Sequence, residues 1–313
     1  MRILLIKTSS LGDVIHNLPV VTDLRTHHPT AQIDWAVEEA FAEIPRLHPG
    51  VSDVFPVAWR RWRRSLLSPS TWNEVRNLRA GLRSARHDLV IDTQGLLKSA
   101  LVAHSAAGRR CGYAAASARE PVAARFYDIR IEVPKDLHAV ERNRRLAAAA
   151  AGYDVASPPD YGIAVAHPSP AGGPIAVLLT ATSRDDKLWP EGNWQALGAE
   201  LHRRGLECRL AAGTPIERAR AERIAAAIPG AKALPPLGLR ELAGHLAAAS
   251  IVVGVDTGLV HLAAALGRPT LALYCASDPA LTGVLAATRV RNLGNRGQPP
   301  SAAEAIAAIA ALA

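Results

Sequence analysis

The sequence predicts an α/β fold: two Rossmann-like domains with parallel sheets. Three observations predict it. Aliphatic runs such as RILLIK (2–7) and PIAVLLTAT (174–182) are continuous rather than alternating, as in strands buried on both faces of a parallel sheet. Helix-periodic stretches separate these runs, and the alternation occurs twice. Between the two series lies SPPDYGIAVAHPSPAGGP (157–174), whose prolines and glycines read as an interdomain connection. A length of 313 residues suits two domains of about 150 each. The expected boundaries are 1–165 and 166–313.

The elements follow in order. In the first half, RILLIK (2–7) is a strand and Val14–His27 is helix-like. QIDWAV (32–37) and Val51–Val57 are strands, Trp72–His87 a basic helix and DLVIDTQ (88–94) a strand. His138–Gly152 is a helix with a glycine stop. In the second half, strands at 174–182, 207–213, 250–256 and 268–274 are joined by helices at Pro190–Gly205, Pro215–Ile228, Leu239–Ala249 and Gly258–Gly267. A last helix runs from Ser301 to Ala313 and is open to packing back on the first domain.

Hydrophobic residues at 49% and charged residues at 20% describe a globular chain. Cys111, Cys208 and Cys275 lie far apart, without CxxC or Cys/His metal spacing. They are expected to be reduced thiols in the cytoplasm. Neither a signal peptide nor a membrane span of about 20 clean apolar residues is legible. Between Arg60 and Arg86 stand eight arginines against one acid, Glu74, so most of the net charge of +8 sits there. Such a segment attracts an anionic partner: nucleic acid, phospholipid head groups or a phosphorylated substrate.

Ligands of parallel α/β sheets bind at the carboxyl ends of strands. That rule singles out 8–13, 92–95, 180–187, 213–217 and 255–258. In IKTSSLGDVIHNL (6–18) a strand runs into a polar turn, and Asp13 stands where a helix begins. Its carboxylate either caps that helix or does chemistry. In VGVDTGLVHLAAALGRPT (253–270), Asp256, Thr257 and Gly258 open a helix whose free N–H groups suit a diphosphate. Asp256 can cap as well, and His261 either faces the same ligand or is structural. In TATSRDDKLWPEGNW (180–194), Thr182 and Ser183 offer hydroxyls. Lys187 either offsets charge on a leaving diphosphate or pairs with Asp185 or Asp186. Glu217 fits a ribose hydroxyl or simply a helix dipole. RRWRR (60–64), beside Trp59, suits nucleic acid or phosphorylated lipid better than a merely solvated face.

The absence of GxGxxG after the first strand weakens a dehydrogenase, and no P-loop or GxSxG elbow occurs. A basic nucleic-acid-binding protein would leave the Asp13 and Asp256 turns without a purpose. A non-catalytic nucleotide-sugar sensor would use those turns without releasing the nucleotide.

KTSSLGDVIHNLP, VEEAFAEIP, VAWRRWRR, DTQGLLKSA, AREPVAARFY, HAVERNR, TSRDDKLWPEGNW and VDTGLVHLAAALGRPT together resemble the bacterial heptosyltransferase I family, from Met1 to about Pro279. The resemblance implies a GT-B glycosyltransferase of lipopolysaccharide inner-core synthesis. It implies an inverting transfer of L-glycero-D-manno-heptose from ADP-heptose to the inner Kdo of Kdo-lipid A. A same-class alternative adds the second heptose. The resemblance makes Asp13 the catalytic base, assisted by Lys187. It assigns Thr182, Ser183, Lys187, Glu217, Leu237, Asp256, Thr257, Gly258 and His261 to the donor. It assigns Arg60, Arg61, Arg63, Arg64, Lys98, Arg119 and His138 to the acceptor. Ser183 stands where Thr is expected and keeps the hydroxyl; Leu237 stands where Met is frequent and still suits packing on adenine. No metal ligands, no obligatory cofactor and no nucleic acid are expected. The implied location is the cytoplasmic face of the inner membrane, with peripheral attachment.

Overall fold

The computed structural model describes residues 1–166 and 173–312. Residues 167–172 of the proposed connection lie outside the described residues. The chain divides into two compact units, Met1–Ile163 and Ala164–Ala313, so the first unit ends just before the expected boundary.

The first unit holds strands β1 (Arg2–Ile6), β2 (Gln32–Glu38), β3 (Val51–Val57), β4 (Leu89–Asp92), β5 (Arg109–Tyr113) and β6 (Ile129–Ile131). They form one sheet in the order β3-β2-β1-β4-β5-β6, parallel throughout. β1 is central, and Ile3, Leu4, Leu5 and Ile6 are fully buried, which explains its unbroken aliphatic run. β3 is an edge strand, where Pro56 lacks the N–H that a central ladder needs.

The second unit holds β7 (Ile175–Leu179), β8 (Glu207–Leu210), β9 (Lys232–Ala233), β10 (Ile251–Val255), β11 (Thr270–Tyr274) and β12 (Val290–Gly294). Its order is β12-β11-β10-β7-β8-β9, again parallel. Every residue of β7, β10 and β11 is buried. Counted from its own first strand, this sheet repeats the strand order of the first. In each, the order reverses direction at the centre, between β1 and β4 and between β7 and β10.

Several expectations change in detail. The helix expected over Val14–His27 is two helices, Leu11–Ile15 and Leu18–His27, interrupted at His16 and Asn17. Pro19 sits in the first turn of the second, where a missing N–H does no harm. The basic helix runs Pro69–Ser84, earlier than expected because Pro69 opens it. The helix Ala139–Ala151 ends at Gly152, whose φ of 78° is the left-handed stop read from the sequence. It packs against Leu18–His27, and buried Arg144 bonds Asp23 through two nitrogens, at 2.7 and 3.0 Å. The last helix, Ala302–Ala310, joins the second unit: Ala305, Ala308 and Ile309 lie in one core with Trp189, Trp194 and Leu271. Its apolar stripe faces that core. The three cysteines are unpaired and buried.

Gly254 lies inside β10, where an added Cβ would come within 2.4 Å of Val260 Cγ1 and 2.8 Å of Leu179 Cβ. The helix that starts at Gly258 therefore packs close on its own strand only because the side chain is absent. Gly254→Ala is expected to cost about 1–3 kcal/mol of stability, read as a lowered midpoint in urea unfolding.

Candidate active site

In the first unit, the turn after β1 carries Lys7 and Ser9 and leads into the helix of Asp13, and the turn after β4 carries Gln94 and leads into the helix of Lys98. Both turns leave the sheet where the strand order reverses, the place where α/β sheets open a crevice. Gln94 ties them together. Its Oε1 accepts from Thr8 N at 2.6 Å, Thr8 Oγ1 at 3.0 Å and Ser9 N at 3.2 Å, while its Nε2 donates to Ser9 O.

Asp13 takes the capping role with one carboxylate oxygen and meets an arginine with the other. Its Oδ2 accepts the backbone N–H of Ser10 at 2.8 Å, closing the start of the helix Leu11–Ile15. Its Oδ1 accepts from Arg119 Nη2 at 2.9 Å. The side chain keeps 13% of its exposure, so solvent or a ligand can reach it. Burial alone would raise the carboxyl's pKa. The nearby charges of Lys7 and Arg119 and the Ser10 N–H outweigh this and hold it below the usual range.

Lys7 was not singled out by sequence reasoning, although it stands in the quoted KTSS turn. It is buried at 4% exposure, and its Nζ donates to Thr93 O at 2.7 Å and Asn143 Oδ1 at 3.1 Å. Burial pushes its pKa down to about 8, against the opposing pull of Asp13. A lysine at the end of an apolar strand is the signal that marks it in the sequence, since such a cation is kept only with partners.

Lys98 Nζ donates to Ser9 Oγ at 2.6 Å. Burial lowers its pKa; Glu38 opposes this, and Arg60 and Arg63 reinforce it. A cavity of about 590 Å³ is lined by Ser9, Glu38, Trp59, Arg60, Arg63 and Lys98, among others. Arg60 and Arg63 thus reach it, whereas Arg61 and Arg64 do not line it. Arg61 is committed elsewhere, to Glu39 at 3.0–3.1 Å and to Glu74 at 2.8 Å, and these bonds raise its already high pKa. Two carboxylates thus balance its charge in this structure. His138 caps the helix Ala139–Ala151, its Nδ1 accepting Val140 N at 3.2 Å, with its ring edge-on to His16.

The second unit repeats the arrangement. Thr182 and Lys187 follow β7, and Asp256 follows β10, on the two sides of the second reversal point. Lys187 Nζ donates to Asp256 Oδ2 at 2.6 Å, and Thr182 Oγ1 donates to Asp256 O at 3.0 Å. Lys187 therefore does not pair with Asp185 or Asp186; Asp186 is taken by Arg184. Nor does Asp256 cap the next helix. Thr257 is the N-cap of Gly258–Ala265 and makes no side-chain bond to its first turn. First-turn N–H groups have no partner inside a helix, so this end offers donors to an anion. Ser277, after β11, also donates to Asp256 Oδ2 and was not anticipated, because nothing local connects 277 with 256.

The other residues expected at the donor have plainer local roles. Glu217 Oε2 accepts from Gly213 N and Thr214 N, both at 2.9 Å, closing a capping box. Ser183 is exposed, Leu237 is half-buried in the loop before the helix Leu239–Ala248, and His261 is buried on the helix Gly258–Ala265. Among the described residues no group of three or more His, Cys, Asp or Glu is placed to hold a metal ion.

Two parallel sheets of this order, with an acid-bearing turn on one and a lysine and helix start on the other, define a GT-B glycosyltransferase. The model of glycosyltransferase family 9 (heptosyltransferase) matches residues 75–306. Lipopolysaccharide heptosyltransferase 1 of Salmonella typhimurium is 47% identical over 288 residues, covering 90% of this chain and 91% of that protein. The structure of Escherichia coli heptosyltransferase WaaC with ADP matches with a TM-score of 0.93 at 41% identity, and both chains are covered in full. The structure of the same enzyme with ADP-2-deoxy-2-fluoro heptose matches at 0.91 and 39% identity, again over both full chains. The chain belongs to glycosyltransferase family 9 and is a heptosyltransferase.

Arg119→Gln removes a cation from Asp13 and so destabilises the ionised carboxylate. The Asp13 carboxyl is expected to titrate at higher pH in this variant, followed by carbon-detected NMR of the side chain.

Proposed function

We propose that this heptosyltransferase transfers L-glycero-D-manno-heptose from ADP-heptose to the inner Kdo of Kdo-lipid A, with inversion at the anomeric carbon. One observation carries the reading: an ionised, partly exposed Asp13 held by Arg119 at a strand-end turn, on the same unit as a basic cavity. The names of the relatives support heptose, ADP and lipopolysaccharide as the chemistry.

In this reading the ADP diphosphate lies at the start of the helix Gly258–Ala265. It draws Lys187 away from Asp256, since a diphosphate offers more negative charge than one carboxylate. Lys187 and the helix N-terminus then offset the charge that grows as ADP leaves. Thr182, Ser183, Thr257 and His261 border the donor, Glu217 serves the ribose through its uncommitted Oε1, and Leu237 packs on the adenine. Arg60, Arg63 and Lys98 bind the acidic acceptor, with Arg64 and His138 at its margin.

Asp13 takes the proton from the acceptor hydroxyl as that oxygen attacks the anomeric carbon. One bond forms as the bond to ADP breaks, so a single displacement inverts the configuration. A carboxylate with a lowered pKa is a weak base toward an alcohol. The step therefore proceeds with bond breaking ahead of bond making, which acidifies the incoming hydroxyl late. The acceptor is lipid-linked, so the reaction takes place at a membrane surface, on its cytoplasmic side.

With purified ADP-heptose and Kdo-lipid A, mass analysis is expected to show one added heptose. If only an already heptosylated acceptor is extended, the acceptor assignment is wrong. Asp13→Ala is expected to lower kcat by about 10²–10⁴-fold while ADP affinity, measured by calorimetry, stays unchanged.

Because Lys187 and the helix end take the usual role of a divalent ion, no metal is required in this reading. Prolonged EDTA treatment is expected to leave turnover unchanged; a loss restored only by a divalent cation would refute it.

A further inference from the structure

The basic segment contains a second surface beside the acceptor cavity. Residues 63–68 connect the short helix Trp59–Trp62 to the helix Pro69–Ser84. This connection is structured. Ser68 N donates to Ser65 O at 3.0 Å, Thr71 Oγ1 to Ser65 O at 2.9 Å, and Trp72 Nε1 to Leu66 O at 2.8 Å. Yet the turn so built presents apolar side chains to solvent: Leu67 is 98% exposed, Leu66 56% and Trp72 52%. A hydrogen-bonded turn that holds a leucine fully outward is a contact surface, since chance exposure needs no such scaffold. Behind it lies an apolar groove of about 380 Å³, lined by Trp62, Leu66, Trp72, Val75, Leu78 and Leu101 among others.

The charge around this tip has one sign. On the helix Pro69–Ser84, Trp72, Arg76, Arg79 and Arg83 recur at helical spacing and share one exposed face, while Thr71 and Leu82 are buried and Val75 and Leu78 half-buried on the other. Arg63 and Arg64 stand at the start of the turn, also exposed. None of these five arginines forms an ion pair with a carboxylate among the described residues; Glu74, the single acid of the segment, is held by Arg61 and Trp62 Nε1.

We propose that the 63–68 turn and the exposed face of the helix Pro69–Ser84 form a docking surface for an anionic phospholipid bilayer. Leu66 and Leu67 enter the interface, Trp72 sits at head-group level, and Arg76, Arg79 and Arg83 meet lipid phosphates. Apolar insertion within a ring of unpaired cations is the recognition chemistry of such a surface. A single-stranded nucleic acid would need exposed aromatic planes to stack on. Here Trp62 is buried and Trp59 is set edge-on against it, which leaves half-exposed Trp72 as a single plane where successive bases need several. For its purpose this surface rests on the lipid-linked acceptor proposed above.

The test uses the full chain with vesicles of phosphatidylcholine alone or mixed with phosphatidylglycerol. Sedimentation is expected to show salt-sensitive binding to the mixed vesicles only. Leu66→Ser combined with Leu67→Ser is expected to weaken that binding by about tenfold or more, with turnover on a deacylated, water-soluble acceptor unchanged. Leu67→Trp, at a site too exposed to disturb the fold, is expected to bind at least as tightly. Its added emission should be quenched by brominated acyl chains. Binding unaffected in the double serine variant overturns the proposal, as does absence of quenching in Leu67→Trp. Displacement from vesicles by a single-stranded oligonucleotide that binds more tightly also overturns it. Failure of the wild type on the soluble acceptor would sink the acceptor reading instead, and leaves the vesicle result to stand by itself.

Discussion

Each sheet is parallel throughout and reverses its strand order at its centre. That constraint governs the chemistry. At the reversal, chain leaving one central strand and chain leaving its neighbour depart to opposite sides, so the carboxyl ends of both strands stay uncovered. β1 and β4 leave open Lys7, Asp13, Gln94 and Lys98; β7 and β10 leave open Thr182, Lys187 and Asp256.

Electrostatic balance at these ends follows from what is buried beside them. In the first unit one acid, Asp13, faces the charges of Lys7 and Arg119, so it stays ionised despite burial. The cost falls on Lys7, whose pKa burial lowers to about 8, while its Nζ donates to two neutral acceptors. In the second unit Lys187 and Asp256 satisfy each other. A ligand that arrives there must exchange that ion pair for a better one, which favours a strongly anionic group such as a diphosphate.

The arginines of the basic segment look equivalent in one dimension and separate in three. Arg61 is consumed by Glu39 and Glu74 and anchors the short helix Trp59–Trp62 to its surroundings. Arg60 and Arg63 turn toward the cavity that also holds Lys98. Arg76, Arg79 and Arg83 lie on the outer face of the next helix and form no ion pair among the described residues. One run of positive charge thus divides into a structural part, a ligand-facing part and an outward-facing part.

The sequence by itself determined the α/β class, the two series of elements, the central strands and the strand-end segments that gather charged side chains. Their aliphatic runs and glycine stops are local signals, and Asp13, Lys187 and Asp256 were legible because each follows such a run directly. The strands β5, β6, β9 and β12 were not legible: RRCGY and VRNLG have no hydrophobic period, and their pairing comes from a neighbouring strand that is already in place. The break at His16 and Asn17 was hidden for a similar reason, since the apolar period continues across it. Tertiary structure alone decided the partners. Lys187 finds Asp256 across 69 residues and Arg119 finds Asp13 across 106, whereas Asp185 and Asp186 were nearer in the chain. Hydrogen bonds depend on distance in space, and only the closed sheet sets that distance.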